Sequence, residues 1–352
     1  MIPSSKPVAI WLVTGVAMLL VQILLGGITR LTGSGLSITE WDIITGALPP
    51  ISEQNWIEEF EKYKQTPQFL FLNFDFKLQG FKFIFFWEWL HRFWARLMGL
   101  VFIIPFIIFV LQKRFKTQMI KPLIILFLLG FLQGAIGWIM VASGLVGDAI
   151  YVKPIRLALH FIFAMGLLCY TFWFALQLIV HEKQKIQTAL LYKFSIAIIA
   201  ILAVQLIYGA LMAGHKAATA APTWPDINGE LIPEKITQLS ANFIDFMEDK
   251  IIIHFVHRIL AYLLFVMIII WTWKAFRIKM NSLFSKTRLL PIILILVQIL
   301  LGVFSLLSSS QIVPNNWRVF EWTAQLHQLV AMFLLLSFVW MLFISSTKKA
   351  RS

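Results

Sequence analysis

The chain has 352 residues, 59% of them hydrophobic and only 13% charged, with a formal net charge of +13 at pH 7. That composition excludes an ordinary soluble domain and a disordered segment, and it fits a polytopic membrane protein. The surplus cations sit in short connections between apolar runs, which favours membrane orientation over a nucleic-acid partner. The single cysteine, Cys169, lies inside an apolar run, so there is no disulfide framework and no CxxC motif.

A bilayer-spanning helix needs roughly 20 mostly apolar residues. Eight runs qualify, at about Val8–Ile28, Phe83–Leu111, Pro122–Val141, Leu157–Val180, Phe194–Ala213, Ile251–Trp273, Leu289–Leu307 and Trp322–Ser345. The N-terminal Met1–Lys6 is too short for a transit peptide, and the first run is long enough to span, so it is expected as a retained helix.

The basic residues orient these spans. Lys113, Arg114, Lys116 and Lys121 lie between the second and third, and Lys183, Lys185 and Lys193 between the fourth and fifth. Lys274, Arg277, Lys279, Lys286 and Arg288 lie between the sixth and seventh, and Lys348, Lys349 and Arg351 in the tail. With eight spans all fall on one side, which the positive-inside rule makes cytoplasmic, with both termini. The long acidic 1–2 and 5–6 loops are external.

The second span opens on Glu88-Trp-Leu-His91-Arg92 and the sixth on His254-Phe-Val-His257-Arg258. Each is followed, at nearly the same interval, by a lone histidine deep in the chain, His160 and His327. In the orientation above all four histidines form one layer near the external face. Gln22 and Gly26 precede Trp41-Asp-Ile-Ile44-Thr-Gly46-Ala-Leu-Pro-Pro50 as Gln205 and Gly209 precede Trp224-Pro-Asp-Ile227-Asn-Gly229-Glu-Leu-Ile-Pro233, and Gln133 and Gln298 match in spans three and seven. This is a parallel tandem repeat. The expected fold is all-α and polytopic, with four-helix halves 1–185 and 186–352 packed about a pseudo-twofold axis along the membrane normal.

In the first external loop Trp56, Phe60 and Tyr63 fall at helical spacing among charges. That stripe fits a short helix lying on the membrane surface, or one packed against the ends of the bundle. Ile236, Leu239, Phe243 and Phe246 give a similar stripe in the second loop.

An imidazole in hydrocarbon is expensive and is usually functional. A single one can be an interhelical hydrogen bond. Four at repeat-equivalent positions fit axial ligation of haem iron, one histidine from each of two facing helices, better than zinc, which would want further donors at each site. Arg92 and Arg258 stand where haem propionates would emerge and can pair with carboxylates, or can snorkel to lipid headgroups. Arg30, Arg96 and Lys82 are weaker candidates for that role.

One position differs between the halves. Glu88, one turn before His91, is matched by His254. A carboxylate there could stabilise a developing cation or move a proton, or could simply hydrogen-bond His91 or Arg92. His254 is a spare ligand or a polar packing residue. The glutamines and their nearby glycines (Gly26, Gly134, Gly137, Gly209, Gly302) fit helix packing better than chemistry. His181 and His215, in loops, are assigned no role.

The stretches GGITRLTGSGLSITEW (26–41), EWLHRFWARLMG within Lys82–Gly99, TWPDINGELIP (223–233) and HFVHR (254–258) resemble the haem A synthase family, and the resemblance extends over all eight spans. It implies an oxidoreductase that converts the C8 methyl of haem O to the formyl of haem A by successive hydroxylations, for cytochrome c oxidase assembly. By that resemblance haem O, the substrate, binds between His91 and His160 with Glu88 as catalytic residue. Haem b is held as cofactor by His257 and His327.

The resemblance further implies haem O synthase and oxidase assembly factors as partners, an electron acceptor of unidentified nature, and room for a homo-oligomer. The external cysteine pair of some bacterial members is missing. The chain is therefore similar to the proteobacterial and mitochondrial branch, and its location is expected to be a bacterial inner membrane. Two competing readings are a di-haem b electron carrier linked to quinone, which would share the histidines but not the Glu88 asymmetry, and a transporter or haem-delivery protein.

Overall fold

A computed structural model of the chain describes residues 6–40, 48–237, 242–278, 282–313 and 316–346. Among these, eight helices are long and apolar enough to cross a membrane. They are α1 (Lys6–Leu31), α2 (Leu78–Leu111), α3 (Thr117–Ala142), α4 (Pro154–Ile179), α5 (Ala189–Gly214), α6 (Lys250–Phe276), α7 (Leu290–Ser308) and α8 (Val319–Ile344). No β-strand occurs among the described residues, only the isolated bridges Ile227–Glu230 and Val313–Asn316. The protein is an all-α, multi-pass membrane protein.

The helices begin and end where backbone chemistry requires it. The Asp249 side chain caps α6 by accepting from the amides of Ile251 (2.8 Å) and Ile252 (3.1 Å). Glu321 accepts from the Arg318 amide at 2.8 Å at the start of α8. Pro291 sits in the first turn of α7, where its missing N–H is not needed. Large apolar side chains such as Ile103, Ile107 and Leu111 on α2 and Phe127, Leu128 and Phe131 on α3 face outward. Side chains that are apolar all round mark a helix solvated by lipid.

The chain divides into two compact units. One is residues 14–160; the other is residues 1–13 together with 161–352. In the first, the loop between α1 and α2 forms a helix at Glu53–Lys64. Its Phe60 and Tyr63 are buried with Phe81, Ile84 and Phe85 of α2. Phe60 and Tyr63 both stack on Phe81, with ring centroids 5.1 and 5.3 Å apart, and Trp56 meets Phe85 edge-on at 5.0 Å. The stripe is therefore packed against the end of α2.

The loop between α5 and α6 differs from the expectation of one amphipathic helix. It makes two short helical turns, Glu234–Thr237 and Asp245–Glu248, with Phe243 76% exposed between them. Leu239 of the expected stripe, Trp41, Ile44 and Gly46 of the first-loop pattern, and Lys279, Lys348, Lys349 and Arg351 of the orientation argument lie outside the described residues.

Candidate functional site

Among the residues of α6 and α8, His257 and His327 come together, with ring centroids 6.5 Å apart. A metal–imidazole nitrogen bond is about 2 Å, so two rings on opposite sides of one metal stand roughly 6 Å apart between centroids. The pair can hold a single metal from two sides. Among the described residues no three His, Cys, Asp or Glu side chains converge to complete a protein-only coordination shell. Two imidazoles suit a metal whose other positions are filled by its own macrocycle.

His257 and His327 each lean on the preceding odd-numbered helix. Gln205 Nε2 lies 3.4 Å from His257 Nε2, and Gln298 Nε2 lies 3.2 Å from His327 Nε2. His327 Nδ1 is 3.0 Å from the Gln298 backbone carbonyl, to which it can donate.

The 14–160 unit repeats the pattern. Gln22 donates from Nε2 to the backbone carbonyl of His91 at 3.2 Å, and the same nitrogen is 3.1 Å from His91 Nε2. Gln133 donates to the His160 carbonyl at 3.1 Å and lies 3.2 Å from His160 Nδ1. The glutamines expected only to pack helices are thus direct neighbours of all four histidines. Sequence reasoning had their positions but not their partners.

Glu88 is 2% exposed and does not bond His91. Its Oε2 accepts from the Ser37 amide and hydroxyl, both at 2.7 Å, and from the Ile38 amide at 2.9 Å. Its Oε1 accepts from Arg92 Nη2 at 2.5 Å. Arg92 also donates to the carbonyls of Ile38 (3.2 Å) and Glu40 (3.3 Å). Glu88 and Arg92 together fasten the segment after α1 onto α2. The turn at Gly33, with φ +66°, brings that segment back, a conformation glycine adopts without steric cost.

Arg258 has the same task with different partners. Its Nε donates to His254 Nδ1 at 3.0 Å. Its two Nη atoms donate to the carbonyls of Thr223 (2.7 Å), Asp226 (2.6 Å), Pro225 (3.2 Å) and Ala221 (3.4 Å). The loop it grips turns at Asn228-Gly229, both with positive φ, which suits this pair. The Asp226 carboxylate accepts from the Gly229 amide at 2.8 Å, and that bond holds its pKa below the usual carboxylate range. His254 is 2% exposed, and its Nε2 has no hydrogen-bond partner.

Eight spanning helices, four of them carrying a histidine in an apolar run, with an acid near one histidine and a second imidazole near another, define a polytopic membrane protein with candidate metal ligands inside its spans. Residues 9–339 match the model of a family described as cytochrome oxidase assembly protein, and the chain belongs to that family. It is 41% identical to the haem A synthase of Flavobacterium psychrophilum over 337 residues, covering 94% of this chain and 96% of that one. It is 41% identical to that of Parvibaculum lavamentivorans over 274 residues (78% and 79%), and 38% identical to that of Paracoccus denitrificans over 308 residues (86% and 81%).

Proposed function

We propose that the chain acts as a haem A synthase, an oxidoreductase that oxidises the C8 methyl of haem O to the formyl of haem A for cytochrome c oxidase assembly. The relatives' names and the family support the reaction. The observation that carries the assignment of roles is the asymmetry at one position. A buried carboxylate, Glu88, stands beside the first histidine pair and an imidazole, His254, beside the second.

In this reading the half 1–185 takes the substrate and the half 186–352 the cofactor. His91 and His160 bind the haem O iron and so fix the macrocycle. Glu88, one helical turn from His91, is the catalytic residue. Its position is set by four hydrogen bonds, so the carboxylate is preorganised and would need no rearrangement to stabilise positive charge on a substrate held by His91 and His160. His257 and His327 would hold haem b, which would supply one-electron redox chemistry. Arg258 hydrogen-bonds carbonyls and an imidazole and feels the Asp226 carboxylate without a direct bond to it, and it can attract a propionate. Arg92, already paired with Glu88, offers less.

The protein works in a bacterial inner membrane with both termini cytoplasmic. It takes haem O from haem O synthase, passes electrons to an external acceptor and hands haem A to oxidase assembly factors.

The test is expression in a host that makes haem O but no haem A, followed by acid-acetone extraction and chromatography of the haems. Wild-type protein should yield haem A. Glu88→Gln should keep haem O and yield none. Undiminished haem A from Glu88→Gln would remove Glu88 from the reaction, and no haem A from wild type would remove the function.

A further inference from the structure

The segment Q-x-x-x-G occurs at 22–26, 133–137, 205–209 and 298–302, once in each odd-numbered spanning helix. At i, i+4 its glutamine and glycine share one helix face. In every case that face carries a histidine of the next even-numbered helix: His91, His160, His257 and His327.

The glycine makes the seat. A Cβ would come within 3.1 Å of His91 Cε1 at Gly26, 2.8 Å of His160 Cε1 at Gly137, 3.4 Å of His257 Cε1 at Gly209 and 2.9 Å of His327 Cε1 at Gly302. The ring atom nearest the glycine is Cε1 in all four, so the rings are seated in the same way.

The glutamine holds the ring. Its amide nitrogen faces the imidazole, while its carbonyl oxygen is buried and bonds nothing in Gln22, Gln133, Gln205 and Gln298 alike. A buried acceptor without a donor is costly. Four at equivalent positions are not what simple packing residues would leave.

We infer that Gln205 is a positioning residue for the iron-ligating imidazole of His257, its carbonyl oxygen being the acceptor for the ring N–H opposite the iron. The inference rests on the reading that the histidines bind haem iron. A neutral imidazole has one lone pair and one N–H. Once the lone pair goes to a metal, the N–H needs an acceptor, and that acceptor sets ring orientation and ligand basicity. A carboxamide turns end for end within nearly the same volume, so one glutamine can serve the ring with N–H or with C=O. The other three glutamines hold their histidines by other bonds: Gln22 and Gln133 donate to the carbonyls of His91 and His160, and the backbone carbonyl of Gln298 lies 3.0 Å from His327 Nδ1.

The test uses the full-length protein in detergent, with haem b content and its reduction midpoint as readouts. Gln205→Leu should keep haem b and raise the midpoint, because the ligand loses its acceptor and becomes less basic. Gln205→Glu, a stronger acceptor, should lower it. If the leucine variant does not fold, the glutamate variant decides by itself. Gly302→Ala should lose haem b and Gly209→Ala should keep it, following the 2.9 and 3.4 Å clearances. An unchanged midpoint in the glutamate variant, or shifts of the same sign in both glutamine variants, would overturn the inference. Wild-type protein without low-spin haem would instead overturn the reading beneath it.

Discussion

Arg258 donates its Nε–H to His254 Nδ1 across 3.0 Å, one helical turn away, at the position where Arg92 donates to Glu88. The two arginines do the same mechanical work, tying a loop to a helix end. They differ in that Arg92 pairs directly with a carboxylate and Arg258 does not. Replacing Arg258 with Ala would leave four loop carbonyls and the His254 nitrogen without their donor. Unmet buried acceptors each cost on the order of 1–3 kcal/mol, so the loss should be about 3 kcal/mol or more. Arg258→Lys should fall nearly as far, because an ammonium lacks the planar fork. Thermal melting in detergent, with limited proteolysis of the 5–6 loop, checks both.

Ser37 separates the two roles of Glu88. Ser37→Ala removes one hydroxyl bond to the carboxylate but leaves the amide bonds and Arg92. The expected cost is about 1.5–3 kcal/mol of stability, as for a hydrogen bond to a charged group, with haem A output reduced but present. If Glu88 were only a fastener, Ser37→Ala and Glu88→Gln would lower haem A output alike.

Phe81 is the platform for the first loop helix, stacked by both Phe60 and Tyr63. Phe81→Ala should cost about 3–5 kcal/mol and release residues 53–72 to protease. Tyr63→Phe keeps the stack but loses the hydroxyl that donates to Gln68 and accepts from Asn73, a loss of roughly 1 kcal/mol.

Asp249 gives a pH dependence of known sign. Partial burial pushes its pKa up, but the Lys235 ammonium and the amides of Ile251 and Ile252 outweigh that, and it lies below its ordinary value. A carboxyl depressed in the folded state stabilises above its unfolded pKa, about 4, and that contribution is lost as pH falls through the folded value. Wild type should therefore melt above Asp249→Asn at pH 6, and the gap should close toward pH 3. A gap that is constant with pH would assign the effect to shape, not charge.

The eight spans were legible because a run of about 20 apolar residues has few other uses. Their ends were not: α2 starts at Leu78, before the expected Phe83, since a helix continues into the interfacial region where polar residues are welcome. The histidines were legible because an imidazole stands out in an apolar run. Gln205 and Gly209 did not stand out, because glutamine and glycine at i, i+4 look the same whether they pack a helix or seat a ring. Only the partner on a distant helix tells them apart. The grip of Arg258 on carbonyls 221–226 was invisible for a related reason, that backbone acceptors leave no mark in a sequence. The Trp56 stripe was ambiguous because lipid and protein reward the same amphipathicity.

The central claim is that the two histidine pairs hold different haems, and extraction of haems from two purified variants tests it most directly. His327→Ala should lose haem b and retain haem O, and His160→Ala should lose haem O and retain haem b. Loss of the same pigment from both variants, or wild-type protein carrying two haem b and no haem O or haem A, would contradict the account.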